Sequence, residues 1–218
     1  MKQLILVLSF LFLLPAFAQE QLTYLTLESV DLNLVPAPPL EGSPEDLADL
    51  NEVLRWQQVR TPADCAKAQF EAEGFATSFF GAPYGPLTTE EAEKLVALQE
   101  ILFKEVMVFS RIKKNEWARI RPYNRNVGIV PCVKMPRSLS YPSGHTTIAY
   151  VASRTFAILY PERAEALIKK GEEVSLGRVI GGAHHPLDTV AGKIMGKLIF
   201  EALMKSPKFM NDVEALRP

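Results

Sequence analysis

Leu95, Leu98, Leu102, Val106 and Phe109 recur every three or four residues, with Glu100, Lys104 and Glu105 among them. A helix puts such residues on one face. The same period returns in Leu47, Leu50 and Leu54, and again in Ile148, Ala152, Phe156 and Leu159. No stretch alternates apolar and polar residues over the length of a strand, and no internal repeat is present. Helices with one apolar face and no sheet to cover them must pack on each other. The expected fold is all-α, a single-domain helical bundle.

Boundary signals place the helices. Ser43-Pro44-Glu45-Asp46 and Thr61-Pro62-Ala63-Asp64 each supply a capping hydroxyl, a proline at the first helical position and an acid in the first turn. Thr88 or Thr89 caps one long helix through Phe109, with Glu90, Glu91 and Glu93 near its start. A helix resumes after Gly144 and ends at Pro161; further helices span 162–180 and run from Pro186 to about Met204. "GAPYGPL" at 81–87 is a loop. Residues 121–144 carry four prolines and two glycines and read as one long ordered loop. Loops of that length are usually functional or disordered.

The first 18 residues read as a signal peptide. Lys2 is followed by an apolar run at 4–14 broken only by Ser9, then by the small-x-small triplet Ala16-Phe17-Ala18. The chain is therefore expected to be exported, to the periplasm or beyond, after cleavage near Ala18. Residues 19–42 form a proline-rich extended segment, and 43–218 the helical domain. Lys2 is one of 24 basic residues against 25 acidic ones, so the mature chain carries a net charge of −2. No basic excess points to a nucleic-acid partner. No later apolar run is long enough for stable membrane insertion. The two cysteines, Cys65 and Cys132, match no zinc-ligand spacing. In an exported chain they can form one disulfide, worth about 4 kcal/mol in the chain-entropy model. Sequence does not place the two Cβ atoms, so two separate thiols stay equally open.

All three histidines, His145, His184 and His185, lie in one short window. They stand in an ordered set of motifs: "KNEWARIRP" from Lys114 through Arg121 to Pro122, "PSGH" at 142–145, and "GRVIGGAHHPLD" from Gly177 to Asp188. Each piece alone is commonplace. Together they resemble the type-2 phosphatidic-acid-phosphatase superfamily, whose signature reads K-x6-R-P, P-S-G-H and S-R-x5-H-x3-D. "SYPSGHT" at 140–146 and "LVPAPPLEGSPEDLADLNEVL" before the helices are similar to bacterial class A non-specific acid phosphatases.

The resemblance implies a secreted, metal-independent acid phosphatase acting on small phosphomonoesters, without cofactor. Lys114, Arg121 and Arg178 would bind phosphate, arginine bidentately. Ser143 and Gly144 would add backbone N–H groups ahead of a helix. His184 would attack phosphorus, with Asp188 fixing its tautomer, and His145 would protonate the leaving oxygen. A neutral His184 beside a protonated His145 implies a bell-shaped profile with an optimum at pH ~5 to 6.5. His185 fits neither Arg178 nor Asp188 in spacing and is expected at the rim or just behind the residues that touch substrate, and Trp117 is expected to pack. One position departs from the signature: Gly177 stands where the family has serine, a lost donor worth on the order of 1 kcal/mol. A vanadate-binding haloperoxidase, a lipid-headgroup phosphatase and a non-catalytic phosphate-binding protein are the alternative readings. A homo-oligomer is left open.

Overall fold

The computed structural model describes residues 22–73 and 76–217. The expected signal peptide lies outside them. Ten α-helices are described: α1 (Pro44–Val59), α2 (Pro62–Glu71), α3 (Ala76–Phe80), α4 (Thr89–Lys94), α5 (Val96–Trp117), α6 (Pro122–Arg125), α7 (Gly144–Leu159), α8 (Ala164–Ile180), α9 (Pro186–Leu203) and α10 (Pro207–Glu214). No strand forms among the described residues; one isolated bridge joins Gly81 to Leu87. The fold is all-α, as the periodicity requires.

The cap signals act where the sequence puts them. Ser43 Oγ accepts from the Asp46 N–H at 3.2 Å. Thr61 and Asp64 form a reciprocal capping box, as do Thr88 and Glu91. The expected long helix from Thr88 is two helices. At Leu95 (φ −95°, ψ −5°) the N–H turns to Ala92 and the ladder breaks before α5 begins. α5 then runs to Trp117, past Phe109, and stops where Ala118 adopts left-handed backbone at φ 47°. That stop turns the chain toward Arg119 and Arg121.

α7 is the central helix. It packs against α8, α9 and α5, with Ile148, Ala152, Phe156 and Leu159 in the core. Close approach depends on glycines: a Cβ on Gly171 would lie 2.8 Å from Ser153 Oγ, and one on Gly192 would lie 2.7 Å from the Ser143 carbonyl. The second contact seats α9 directly behind the start of α7.

The N-terminal segment is more tightly held than its proline content suggests. Two 3₁₀ turns (Leu27–Ser29 and Leu32–Leu34) interrupt it, and Tyr24, Leu25, Val30 and Val35 are buried. Backbone N–H groups of Thr23 and Tyr24 donate to the buried Glu105 Oε1. Tyr141 in turn donates its hydroxyl to the Pro36 carbonyl at 2.7 Å. The 121–144 loop contains the short helix α6, and the structure bonds Cys132 to Cys65, tying this loop to α2.

Candidate active site

Four segments converge: the end of α5 with its following loop, the start of α7, the end of α8, and the start of α9. α8 brings in Arg178, and a turn at Gly181 and Gly182 (φ +75°) folds the next residues back. The N–H groups of Ala183 and His184 both donate to the Arg178 carbonyl. Pro186 then opens α9, with Asp188 in its first turn.

His184 is 1% exposed. Its Nδ1 lies 3.1 Å from Asp188 Oδ2, and its Nε2 lies 3.1 Å from Arg121 Nη1. Arginine only donates, so Nε2 is the acceptor and the proton sits on Nδ1, donated to Asp188. The Nε2 lone pair is therefore free of a proton. Burial, then the Arg121 charge, hold the His184 pKa well below the usual histidine value, against the pull of Asp188.

Asp188 is fully buried. Its Oδ1 accepts from Arg119 at 2.8 Å; its Oδ2 accepts from Ser140 Oγ at 2.5 Å and from the His185 N–H at 3.0 Å. Burial alone would raise its pKa. The hydrogen bonds from the two histidine side chains prevail and hold it well below the carboxylate range.

The cations differ in what they have left to give. Lys114 directs all three Nζ protons at carbonyls of the 139–142 loop: Leu139 at 2.6 Å, Ser140 at 3.1 Å and Pro142 at 2.7 Å. It straps down the turn that delivers Ser143, and burial with the Arg121 charge lowers its pKa to about 7. Arg121 donates to the Ser138 and Ala183 carbonyls besides His184. Arg178 is the exception. It is 1% exposed, yet Nε and Nη1 have no hydrogen-bond partner among the described residues. Burial, then Arg121, lower its pKa to about 10.

The start of α7 departs from the sequence reading in one respect. The Ser143 N–H is engaged, donating to the Asp188 carbonyl at 2.9 Å. Ser143 Oγ accepts from Thr146 and caps the helix. Ser143 therefore has its hydroxyl proton to offer, and backbone N–H groups fall to Gly144 and His145 in the first turn. His145 Nε2 lies 3.0 Å from the Ala72 carbonyl, so that nitrogen carries a proton. Burial, then the Arg178 charge, push the His145 pKa down to about 3. Ala72, Lys134, Met135, Pro136, Arg137, His145 and Arg178 line one open cavity of about 480 Å³.

Of the two places expected for His185, the structure shows the inner one, behind Asp188. It is fully buried, with Nδ1 3.3 Å from Asp188 Oδ2 and Nε2 3.5 Å from Arg125 Nη1. Trp117 packs edge-on against Tyr141. Residues the sequence reading missed stand behind Asp188. Arg119 bonds Asp188, Asp46 and Asp49 at once, at 2.8, 2.9 and 2.7 Å. Arg125 pairs with Asp46, and Asp49 also accepts from the Leu187 N–H. The only available signal was Arg119 two residues before Arg121, with unpaired acids in the first turns of α1.

A family model described as the PAP2 superfamily matches residues 95–211, more than half of the chain. The chain belongs to the PAP2 superfamily. It is 29% identical to the non-specific acid phosphatase of Providencia stuartii, over 84% of this chain and 77% of that protein. The non-specific acid phosphatase of Salmonella typhi is also 29% identical, over 75% of this chain and 65% of its own length. Among solved structures, a transmembrane PAP2 type phosphatidylglycerolphosphate phosphatase from Bacillus subtilis superposes with a TM-score of 0.56 at 17% identity, over 76% of this chain and 87% of that one. A bacterial vanadium-dependent iodoperoxidase superposes with a TM-score of 0.60 at 14% identity, over 79% of this chain and 52% of its own. These two share the fold. No described helix of this chain is long and apolar enough to cross a membrane.

Proposed function

We propose that this PAP2 protein is an exported acid phosphatase that hydrolyses small phosphomonoesters through a phosphohistidine on His184, without a metal ion. The observation that carries the reading is Arg178. A buried guanidinium with two unpartnered nitrogens is costly, by several kcal/mol, unless an anion completes it. It lines the same cavity as His145 and follows, through the Gly181-Gly182 turn, directly into His184. The acid phosphatase relatives support the reaction class.

The steps follow from the protonation states. Phosphate on Arg178 draws Arg121 from His184 Nε2 and frees that lone pair. Nε2 attacks phosphorus, and the bond to the leaving oxygen breaks. His145, protonated once the phosphate dianion offsets the cations, gives its proton to that oxygen. Asp188 accepts the Nδ1 proton's hydrogen bond throughout and stabilises the positive phosphohistidine. Water, losing its proton to His145, then attacks phosphorus, and the P–N bond breaks. Arg178, Arg121 and the Lys114 charge supply the stabilisation of the equatorial oxygens.

The test is hydrolysis of p-nitrophenyl phosphate by the mature protein, with and without a strong chelator and with vanadate. Turnover that survives the chelator and is blocked by vanadate is expected. Turnover that a chelator abolishes and a divalent metal restores would overturn the mechanism.

A further inference from the structure

If His145 protonates the leaving oxygen, the leaving group lies in the mouth of the cavity, and the residues there select it. That mouth is cationic. Its rim is Lys134, Met135, Pro136 and Arg137, with Arg178 and His145 below, and its lining holds no carboxylate among the described residues. Lys134, Met135 and Arg137 are exposed, and neither rim cation forms an ion pair among the described residues.

The rim backbone is held in place. The Lys134 N–H donates to Gln69 Oε1 at 2.7 Å, and the Pro136 carbonyl accepts from the Tyr123 hydroxyl at 2.7 Å. Arg121 holds the Ser138 carbonyl at 2.6 Å, and Cys132 is bonded to Cys65. The segment carrying two unpaired cations is thus fixed over a cavity whose floor cation, Arg178, is itself unpartnered. Arg178 is matched by the reacting phosphate; Lys134 and Arg137 remain for something further out.

Resting on the phosphatase reading, we propose that Lys134 and Arg137 form a subsite for an anionic group on the leaving side. The preferred substrates are then phosphomonoesters whose leaving group carries a second phosphate, with Met135 against the carbon chain between the two. Exposed charge pairs are each weak, so the expected preference is about tenfold and falls with salt.

The experiment compares kcat/KM for butane-1,4-diyl bisphosphate, halved for its two equivalent ends, with kcat/KM for butyl phosphate. At low ionic strength the wild type should favour the bisphosphate about tenfold, and 0.5 M salt should remove most of that ratio. In the variant Lys134→Ala/Arg137→Ala the ratio should approach one. A wild-type ratio near one, or a ratio unmoved by salt, overturns the proposal even should the double variant not fold. A ratio preserved in a folded double variant also overturns it. Calorimetric binding of the same two compounds to His184→Ala separates the two readings. If the wild type hydrolyses neither compound but His184→Ala binds the bisphosphate about tenfold tighter, the reaction reading fails and the subsite stands. Equal binding there removes the subsite.

Discussion

Gly177 and Glu71 face each other so closely that a Cβ on Gly177 would lie 2.8 Å from Glu71 Oε2. Glu71 is 1% exposed; its Oε1 is paired with the buried Lys170, and its Oε2 has no hydrogen-bond partner among the described residues. The carboxylate fills the place beside α8 where the family's serine would project. It also ends α2, next to the Ala72 carbonyl that holds His145.

Restoring the serine should therefore not restore a donor for free. Gly177→Ser obliges the Glu71 carboxylate, held by Lys170, to shift while offering Oε2 a hydroxyl donor; a net cost of up to about 1 kcal/mol is expected, with turnover lowered by the shift beside Ala72 and His145. Gly177→Ser/Glu71→Asp, with a carboxylate one methylene shorter, should recover part of both. Urea unfolding and kcat on the three variants check this. A single variant as stable as wild type and more active would show that Glu71 yields easily and that the glycine is a simple loss.

His184 and His185 both reach Asp188 Oδ2, but only His184 presents a proton-free nitrogen beside Arg121. On the proposed mechanism no other group can take the phosphoryl group, so His184→Ala should lose turnover by at least about 10⁴-fold. His185→Ala should cost stability by about 1–3 kcal/mol through its buried site, and keep activity within about tenfold. Acid-labile phosphate trapped during turnover should map to His184 by mass spectrometry; phosphate on His185 would reverse the assignment.

The rate profile has a definite sign. In the free enzyme His145 is neutral above about pH 3, so the proton for the leaving group enters with the substrate monoanion. Phosphate monoesters lose that proton near pH ~6, so kcat/KM should fall above it. The descending limb of kcat belongs instead to His145 in the complex, raised by the bound dianion. In His145→Asn the kcat limb should flatten while the kcat/KM limb stays, and p-nitrophenyl phosphate should suffer least. An unchanged kcat limb in that variant would remove His145 from the acid role.

Stability should fall toward acid in the free protein. His145 and His184 have folded pKa values below the ordinary ~6.5, so the unfolded chain binds more protons as pH drops through that value. Lys114, lowered to about 7, acts in the same direction between about pH 7 and 10.4, and the depressed Asp188 does so below about pH 4. Thermal unfolding from pH 8 to 4.5 should show a falling Tm. Saturating inorganic phosphate should raise Tm more at pH 5 than at pH 7.5, because an anion on Arg178 lets His145 take its proton. A flat Tm with equal phosphate effects would show that neither histidine is held neutral.

Helices were legible wherever local physics suffices. Ser43, Thr61 and Thr88 cap because hydroxyls satisfy N–H groups two or three residues away, whatever the rest of the chain does. The break at Leu95 was not legible, since the apolar period runs unbroken across it and only packing against its neighbours chooses the kink. The pairing of Cys65 with Cys132 was likewise open in the sequence, which holds no information on Cβ separation until α2 meets the loop.

The sequence by itself determined the all-α class, the family signature and which residue types stand in the motifs, because period, caps and motif order are one-dimensional. Only the tertiary structure decided what those residues have left to offer. It spends the Lys114 protons on loop carbonyls and the Ser143 N–H on Asp188, leaves Arg178 unpartnered, turns His184 Nε2 into an acceptor, buries His185, and recruits Arg119, Asp46 and Asp49 behind Asp188. Hydrogen-bond partners and burial come from segments distant in the chain, and they, not residue type, set where each proton sits.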